Sequence, residues 1–163
     1  MERLKDPQTE WHLEKVDDKK FVLYPLCISK IYRCDLGEMQ PGQPGGADWS
    51  WETPYEGPFA LRLKVDGEGS IVNPSFVTTK GIVKFPCKIN SGEYLLVDRN
   101  GNAAVTDKNY TCIAKVESQG NAFLLKGISS VAFSCEKGSN DDSPEVHVRF
   151  ITQGKGEVIE KHQ

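Results

Sequence analysis

The amino-acid sequence predicts an all-β protein, folded as an antiparallel jelly-roll-type β-sandwich. Apolar residues alternate with polar ones along many short segments, of which 59–66 is the clearest, and this period of two is typical of half-buried strands. Dipeptides that favour tight turns recur between these segments, and no window shows the 3.6-residue period of an amphipathic helix. Many short strands joined by frequent turns indicate packed antiparallel sheets.

The predicted strands are bounded by residues that favour turns. In chain order they cover 11–16, 20–25, 27–33, 59–66, 70–73, 75–79, 81–86, 93–98, 102–106, 111–117, 122–126, 128–135, 145–150 and 156–160. The turn dipeptides among them are Asp66-Gly67, Ser91-Gly92, Asn100-Gly101, Gln119-Gly120 and Lys137-Gly138. Asn100-Gly101 is the strongest hairpin signal, because Asn-Gly suits a type I′ turn and apolar residues alternate on both sides of it.

A single domain, residues 1–163, is the simplest account of the chain. A length of 163 residues is enough to bury a continuous core, and 38% hydrophobic with 26% charged residues is ordinary for a chain that folds. Residues 1–35 are expected to supply strands to the same sandwich, with a short lead-in segment at 1–19 as the alternative. The one long interruption of the strand pattern is the segment 41–58.

Charge and hydropathy narrow the choice of partners. The formal net charge is -3 and no long basic run occurs, so nucleic acid is not an expected partner, because phosphate binding needs a concentrated positive surface. No apolar run approaches the about 20 residues that cross a bilayer. The first residues lack the apolar stretch of a signal peptide, so the chain is expected to be either cytosolic or a piece of a longer exported protein.

The five cysteines predict neither a zinc site nor a disulfide framework. Their number is odd and no C-x-x-C pair occurs. Cys135 follows Val131 and Phe133 at alternate positions, and Cys112 precedes Ala114 and Val116 in the same way. We therefore expect free cysteines that are buried like small apolar residues.

Signals for catalysis are missing, and no catalytic residue is predicted. The sequence contains none of the nucleophile, zinc-protease, P-loop or dinucleotide motifs. Of the histidines, His147 lies on the polar side of its predicted strand, where a solvated side chain is expected. The carboxylates Asp48, Glu52 and Glu56 suit a glycosidase in composition, but so short a segment offers no evident deep cleft to raise the pKa of one of them.

No cofactor or metal ligand is predicted. The run from Asp98 to Asn102 resembles the opening of a calcium loop, but Ala103 stands where that loop needs glycine and Asn109 where it needs glutamate. A hairpin turn is the better interpretation, and a structural calcium ion elsewhere stays open.

The segment 41–58 is predicted to be a long aromatic loop rich in glycine and proline, which weaken regular structure. Its rings and acids suggest a ligand-binding surface, because indole and phenol rings stack on sugars and carboxylates bind hydroxyl groups. The candidate binding residues are Asp48, Trp49, Trp51, Glu52 and Tyr55. If the chain is locally extended, the two tryptophans fall on one side. The alternative is that the rings anchor the loop, and we expect one ring inside and one outside.

Four stretches of the sequence carry a resemblance to a known family. They are Gly46–Trp51, Gly57–Val65, Val83–Pro86 with Gly92–Leu96, and Val146–Thr152. In pattern and order, over about residues 20–160, the chain resembles the C-terminal β-sandwich domains of large bacterial glycoside hydrolases, which are similar to galactose-binding-type jelly rolls or carbohydrate-binding modules. The resemblance implies a non-catalytic domain that binds polysaccharide or braces an N-terminal catalytic domain, and a periplasmic or extracellular location with the export signal on that missing part.

The resulting hypothesis is a non-catalytic carbohydrate-binding or accessory domain whose partner is a polysaccharide or oligosaccharide. Two alternatives remain open at this point. One is a structural module that braces a catalytic domain, and the other is a β-sandwich of the phage-tail or adhesin type.

Overall fold

The computed structural model describes residues 8–36, 45–139 and 142–160, and these contain strands and no helix. The seventeen strands follow the order β1 (Gln8–Lys15), β2 (Lys20–Ile28), β3 (Tyr32–Asp35), β4 (Gly45–Thr53), β5 (Gly57–Pro58), β6 (Ala60–Glu68), β7 (Ser70–Thr78), β8 (Gly81–Lys84), β9 (Lys88–Asn90), β10 (Tyr94–Val97), β11 (Asn102–Thr106), β12 (Cys112–Glu117), β13 (Gln119–Asn121), β14 (Phe123–Leu124), β15 (Gly127–Lys137), β16 (Ser143–Gln153) and β17 (Glu157–Glu160).

The larger sheet has nine strands. Its order is β1-β2-β16-β6-β10-β11-β12, with β3 also beside β16 and β17 also beside β2. Strand β16 lies at the centre, since it pairs with β6 along one side and with β3 and then β2 along the other. All these pairings are antiparallel.

The smaller sheet has six strands in the order β13-β8-β7-β15-β4, with β9 also beside β7. Strands β5 and β14 form a separate antiparallel pair. The core fills the space between the two large sheets, and Phe76 of the smaller sheet meets Phe150 of the larger one edge to face, with ring centroids 5.8 Å apart. The all-β antiparallel prediction is confirmed, and the jelly-roll connectivity stays a prediction.

The period-two pattern of the sequence matches the burial on the two central strands. Leu61, Leu63 and Val65 of β6 are buried, and Arg62 and Lys64 between them lie on the outer side. Strand β16 repeats this pattern, with Val146, Val148 and Phe150 among its buried residues. The alternation therefore assigns each side chain of these strands to the core or to the outer face.

The predicted loop 41–58 is wrong over most of the described part. Residues 41–44 lie outside the described residues, whereas 45–53 form β4 and pair with β15 along its whole length. A Cβ atom on Gly46 would lie 2.7 Å from the carbonyl oxygen of Phe133, so the glycine allows a close approach of the two strands. Tertiary pairing thus overrides the low strand propensity of glycine.

One further expectation about strands needs correction. The predicted strand 27–33 is two strands, because Ser29 interrupts it: its hydroxyl oxygen accepts a hydrogen bond from the backbone N–H of Phe150 at 2.9 Å. The described part of residues 1–35 supplies strands, as expected, and the alternative of a lead-in at 1–19 does not hold over residues 8–15, which form β1. By contrast, the hairpin at Asn100-Gly101 is confirmed, since it joins β10 to β11.

The five cysteines are free, as the sequence predicts. Cys27, Cys34 and Cys135 are buried and Cys87 is half-buried. The exception to the expected burial is Cys112, which is exposed because β12 is the edge strand of the larger sheet.

Candidate functional site

The predicted site residues of β4 do not share a surface. Trp49 is only 8% exposed and belongs to the core, and Trp51 packs against it from the same side of the strand. Asp48 and Glu52 are exposed on the opposite side. The expectation of one ring inside and one outside is therefore wrong, because an extended Trp-x-Trp segment places both rings on one face, and that face is the inner one.

Both indoles make their contacts inside the sandwich. Trp49 stacks on Phe133 with centroids 5.3 Å apart, and Trp51 stacks on Phe150 at 4.8 Å. Tyr32 lies between them, 5.7 Å from Trp49 and 5.4 Å from Trp51. These rings join β4 to both sheets, which is the anchoring role that the sequence left as the alternative.

Tyr55 follows β4 and lies apart from both tryptophan contacts. Its side chain is half-buried, and a Cβ atom on Gly154 would lie 2.5 Å from its ring. The tyrosine therefore packs against the chain between β16 and β17. The ring lines neither of the two grooves on the outer face of the larger sheet.

An open groove of about 450 Å³ lies instead on the outer face of the larger sheet. Strands β6, β10 and β16 form its floor, and the turn between β11 and β12 forms one wall. Its lining combines two tyrosine rings with charged side chains, namely Tyr94, Tyr110, Arg62, Lys64, Asp66, His147 and Arg149. The size is within the usual range of ligand sites, about 300–1,000 Å³.

Tyr110 is held in a backbone conformation that few residues other than glycine adopt. Its φ is 64°, in the left-handed region, where a bulky side chain costs about 1 kcal/mol or more. The turn imposes it: the Tyr110 N–H donates to the carbonyl oxygen of Asp107, and the Asp107 carboxylate accepts from the N–H groups of Asn109 and Thr111 at 2.8 and 3.0 Å. Such strain clusters at functional sites.

The ring of Tyr110 is displayed to solvent next to that of Tyr94. Tyr110 is 59% exposed, and the two ring centroids are 5.0 Å apart with the planes tilted by 36°. Desolvation and the hydrogen bond with Tyr110 raise the pKa of the Tyr94 hydroxyl. The Lys64 ammonium lies 5.8 Å from the centroid of Tyr94, within the range of a cation–π interaction.

A network of ion pairs occupies one end of the groove. His147 Nε2 is 3.1 Å from Glu145 Oε1 and 3.7 Å from Asp66 Oδ2, and Lys64 Nζ is 3.2 Å from Asp66 Oδ1. The hydrogen bond from Arg33 lowers the pKa of the Glu145 carboxyl, and the hydrogen bond to Asp66 raises the pKa of Lys64. Both carboxylates therefore already have a cationic partner, Arg33 for Glu145 and Lys64 for Asp66.

Arg62 and Arg149 lie at the other end of the groove. They are directly opposite each other on β6 and β16. In the described part of the chain, neither guanidinium has an ion-pair partner, and the Nε atom of Arg149 is buried without an acceptor.

A second groove, of about 580 Å³, lies further along the same strands. Ala60 and Ile151 line it, each two residues along the strand from Arg62 and Arg149. Its lining also includes His12 and Tyr24, whose rings stack with centroids 6.4 Å apart. Each of the two grooves thus has a pair of aromatic rings in its lining.

The described residues contain no group of three or more His, Cys, Asp or Glu side chains placed to hold a metal ion, and no helix among them is long and apolar enough to cross a membrane. Comparison of the chain with known proteins finds no matching family model, curated protein or solved structure.

The groove residues were missed because their aromatic rings are far apart in the sequence. Tyr94 and Tyr110 meet only through the pairing of β10 with β11 and the turn that follows. A signal existed for the charged residues: Arg62, Lys64, His147 and Arg149 all fall on the polar phase of strongly alternating strands. The sequence does not tell that β6 and β16 are neighbours, which is what brings the four together.

Proposed function

We propose that this protein is a non-catalytic carbohydrate-binding domain, with its ligand in the outer groove of the larger sheet. The observation that carries the proposal is the strained, exposed Tyr110, supported from behind by Tyr94 and tied in place by Asp107. The unfavourable backbone conformation of Tyr110 holds an exposed aromatic ring in a groove, and this favours a stacking role for the ring.

The chemistry of the groove suits a sugar chain. The apolar C–H face of a sugar ring stacks on the exposed face of Tyr110, while Lys64 and Asp66 offer a donor and an acceptor for hydroxyl groups beside it. The groove is open, and a second one lies two residues along the strands at Ala60 and Ile151, so a polymer can lie across the face without a free end. These features support a polysaccharide more than a small enclosed ligand.

Binding without catalysis is supported by the state of the acids. Glycosidases need one carboxylic acid whose pKa is raised, so that it can donate a proton. Here Arg33 lowers the pKa of Glu145, and Asp66 is paired with Lys64 and His147. Glu145 is therefore not prepared to act as a proton donor, and Asp66 already has a cationic partner.

The test is titration of the wild type and the variants Tyr110→Ala and Tyr94→Ala against a panel of soluble polysaccharides. We expect micromolar to millimolar binding by the wild type and about a tenfold loss in each variant, equivalent to about 1.4 kcal/mol. Phe123→Ala is the matched control, because Phe123 is an exposed ring outside the groove. Failure of the wild type to bind any glycan, or an equal affinity of Tyr110→Ala and wild type, would contradict the proposal.

The bracing role is a second candidate, and one observation favours it. Strands β1, β2 and β17 form a ribbon whose one face carries Trp11, Leu13, Phe21, Leu23 and Ile159 in register. Trp11 is 57% exposed, and none of these five side chains belongs to the core. An exposed apolar face of this kind is typical of an interaction surface.

Fluorescence tests the bracing role, because Trp11 is exposed whereas Trp49 and Trp51 lie in or against the core. In a natural polypeptide that also carries a catalytic domain, bracing predicts that acrylamide no longer quenches Trp11. Equal quenching in that polypeptide and in the isolated domain would contradict it. The fluorescence that a Trp11→Phe variant loses identifies the contribution of Trp11.

A further inference from the structure

We infer that Arg62 and Arg149 form a binding site for an anionic group, so that the ligand of the outer groove is an acidic polysaccharide. The inference rests on the proposed function and specifies its substrate class.

The first argument is the register of the two strands. Arg62 and Arg149 are a directly opposed pair on β6 and β16, and both project from the outer face. Like charges in that position destabilise a sheet. An anionic group bound between the two arginines relieves this repulsion.

The second argument is that the charges have no partner of their own. Two acids of the same face, Asp66 and Glu145, are already engaged by Lys64 and Arg33. The carboxylate of Asp98, at the end of β10, accepts hydrogen bonds from Asn100 and Asn102. Among the described residues, neither Arg62 nor Arg149 makes an ion pair. The two ends of the groove therefore differ: one is neutralised internally and the other carries free positive charge.

The third argument is the Nε atom of Arg149. It is buried and lacks a hydrogen-bond acceptor in the free protein. Buried polar groups nearly always have partners, and the planar fork of a guanidinium matches the two oxygens of a carboxylate or a sulfate ester. The terminal N–H groups of both guanidiniums are the donors that an anionic group placed between the arginines can reach.

The position of the pair connects it to the aromatic rings. Arg62 is two residues from Lys64 on β6, a distance of about 7 Å along the strand, and Lys64 lies opposite Tyr94 on β10. A sugar unit that stacks on the tyrosines thus presents its own carboxylate, or that of its neighbour, to the arginines. Uronic acids and sulfated sugars both provide such a group.

The experiment compares ligands that differ only in charge. A polyuronate and the same polymer after reduction of its carboxyl groups to alcohols are titrated with the wild type, Arg62→Gln and Arg149→Gln. A sulfated glycan beside its desulfated form distinguishes the sulfate source from the carboxylate source. Lys115→Gln is the control, because it removes one positive charge from an exposed position of β12 outside the groove.

We expect the wild type to prefer one acidic polymer over its neutral form by tenfold or more. Each arginine variant should lose that preference and keep its affinity for the neutral form, and the Lys115 variant should behave like the wild type. Raising the salt concentration should weaken binding of the acidic polymer only. Because an unfavourable charge pair is removed, both arginine variants should melt at the wild-type temperature or above it.

The outcomes separate this inference from the proposed function. Equal, tyrosine-dependent binding of acidic and neutral polymers overturns the inference and leaves carbohydrate binding intact. If no polysaccharide of either kind binds, inorganic sulfate decides: an increase in melting temperature for the wild type but not for Arg62→Gln retains the anion site and refutes carbohydrate binding. If sulfate also has no effect, both fail.

Discussion

Two aromatic clusters of this protein lie in opposite environments: the inner cluster of Trp49 and Trp51 is in or against the core, and the outer cluster of Tyr94 and Tyr110 is on the surface. Trp49 and Trp51 are two residues apart in the sequence and are packed against Phe133, Phe150 and Tyr32 between the sheets. Tyr94 and Tyr110 are separated by a hairpin and a turn, yet they meet on the outer face. The density of rings in a sequence therefore does not indicate a binding surface. Whether a ring reaches the surface depends on which face of its strand it occupies and on which strand lies beside it.

The largest expected effect is on the inner cluster. Trp49→Ala removes an indole that is 8% exposed, and the lost burial and the cavity should lower the free energy of unfolding by about 3–5 kcal/mol. Tyr110→Ala, the matched change in the outer cluster, should lie within about 0.5 kcal/mol of the wild type. Urea denaturation of both variants measures this. Similar losses in the two variants would erase the distinction between the clusters.

A smaller loss of stability is expected at Thr53, where the inward-facing side of β4 ends. Thr53 follows Trp51 at the next inward position and is fully buried, with its hydroxyl 2.9 Å from that of Thr152 on the opposite sheet. Thr53→Val should cost about 1–2 kcal/mol, because it leaves buried polar groups with fewer partners.

A double-mutant cycle with Thr152→Val tests this pair. The double variant should be less destabilised than the sum of the two single variants, with a coupling energy of about 1 kcal/mol. Strict additivity would mean that the hydroxyl contact does not join the sheets, and the inner role of β4 would then be apolar alone.

The smallest loss of stability is expected at Asp98, in the surface turn between β10 and β11. The Asp98 carboxylate accepts bonds from the N–H groups of Asn100 and Asn102, both at 2.9 Å, and from the Asn102 amide. Desolvation opposes ionisation, but these hydrogen bonds outweigh it and lower the pKa of Asp98. Asp98→Ala should cost about 1 kcal/mol at neutral pH, as a lost cap does.

The sign of the pH dependence follows from that lowered pKa. The stabilisation by Asp98 is complete above the ordinary aspartate pKa of about 4 and is lost as the pH falls through the lower folded value. The gap in melting temperature between wild type and Asp98→Ala should thus close in acid. Glu56→Ala, at an exposed side chain, serves as the control and should show no gap in melting temperature at any pH. A difference in melting temperature that widens in acid would contradict the lowered pKa of Asp98.

Most of the fold could be predicted from the sequence, because alternation is a local property. Leu61, Leu63 and Val65 of β6 and the Asn100-Gly101 turn were identified without knowledge of their neighbours. Strand β4 was not, since its glycines disfavour a strand and only the pairing with β15 stabilises it.

The candidate site could hardly be predicted, because it depends on which strands are adjacent. Arg62 and Arg149 are 87 residues apart in the chain. They lie opposite each other only because of the register in which β6 pairs with β16. The tyrosine pair depends in turn on the conformation of the turn at Asp107. Neither has a local signature.

The exposed thiol of β12 has a practical consequence. Burial raises the pKa of Cys87 to about 11 and that of Cys135 to about 12, and it also raises the pKa of Cys27 and Cys34, so these four thiols react slowly near neutral pH. Cys112 is exposed and lies two residues after Tyr110. A maleimide dye should therefore attach to the natural sequence at a single position, beside the ring on which a sugar would stack, and report ligand arrival by its change in fluorescence.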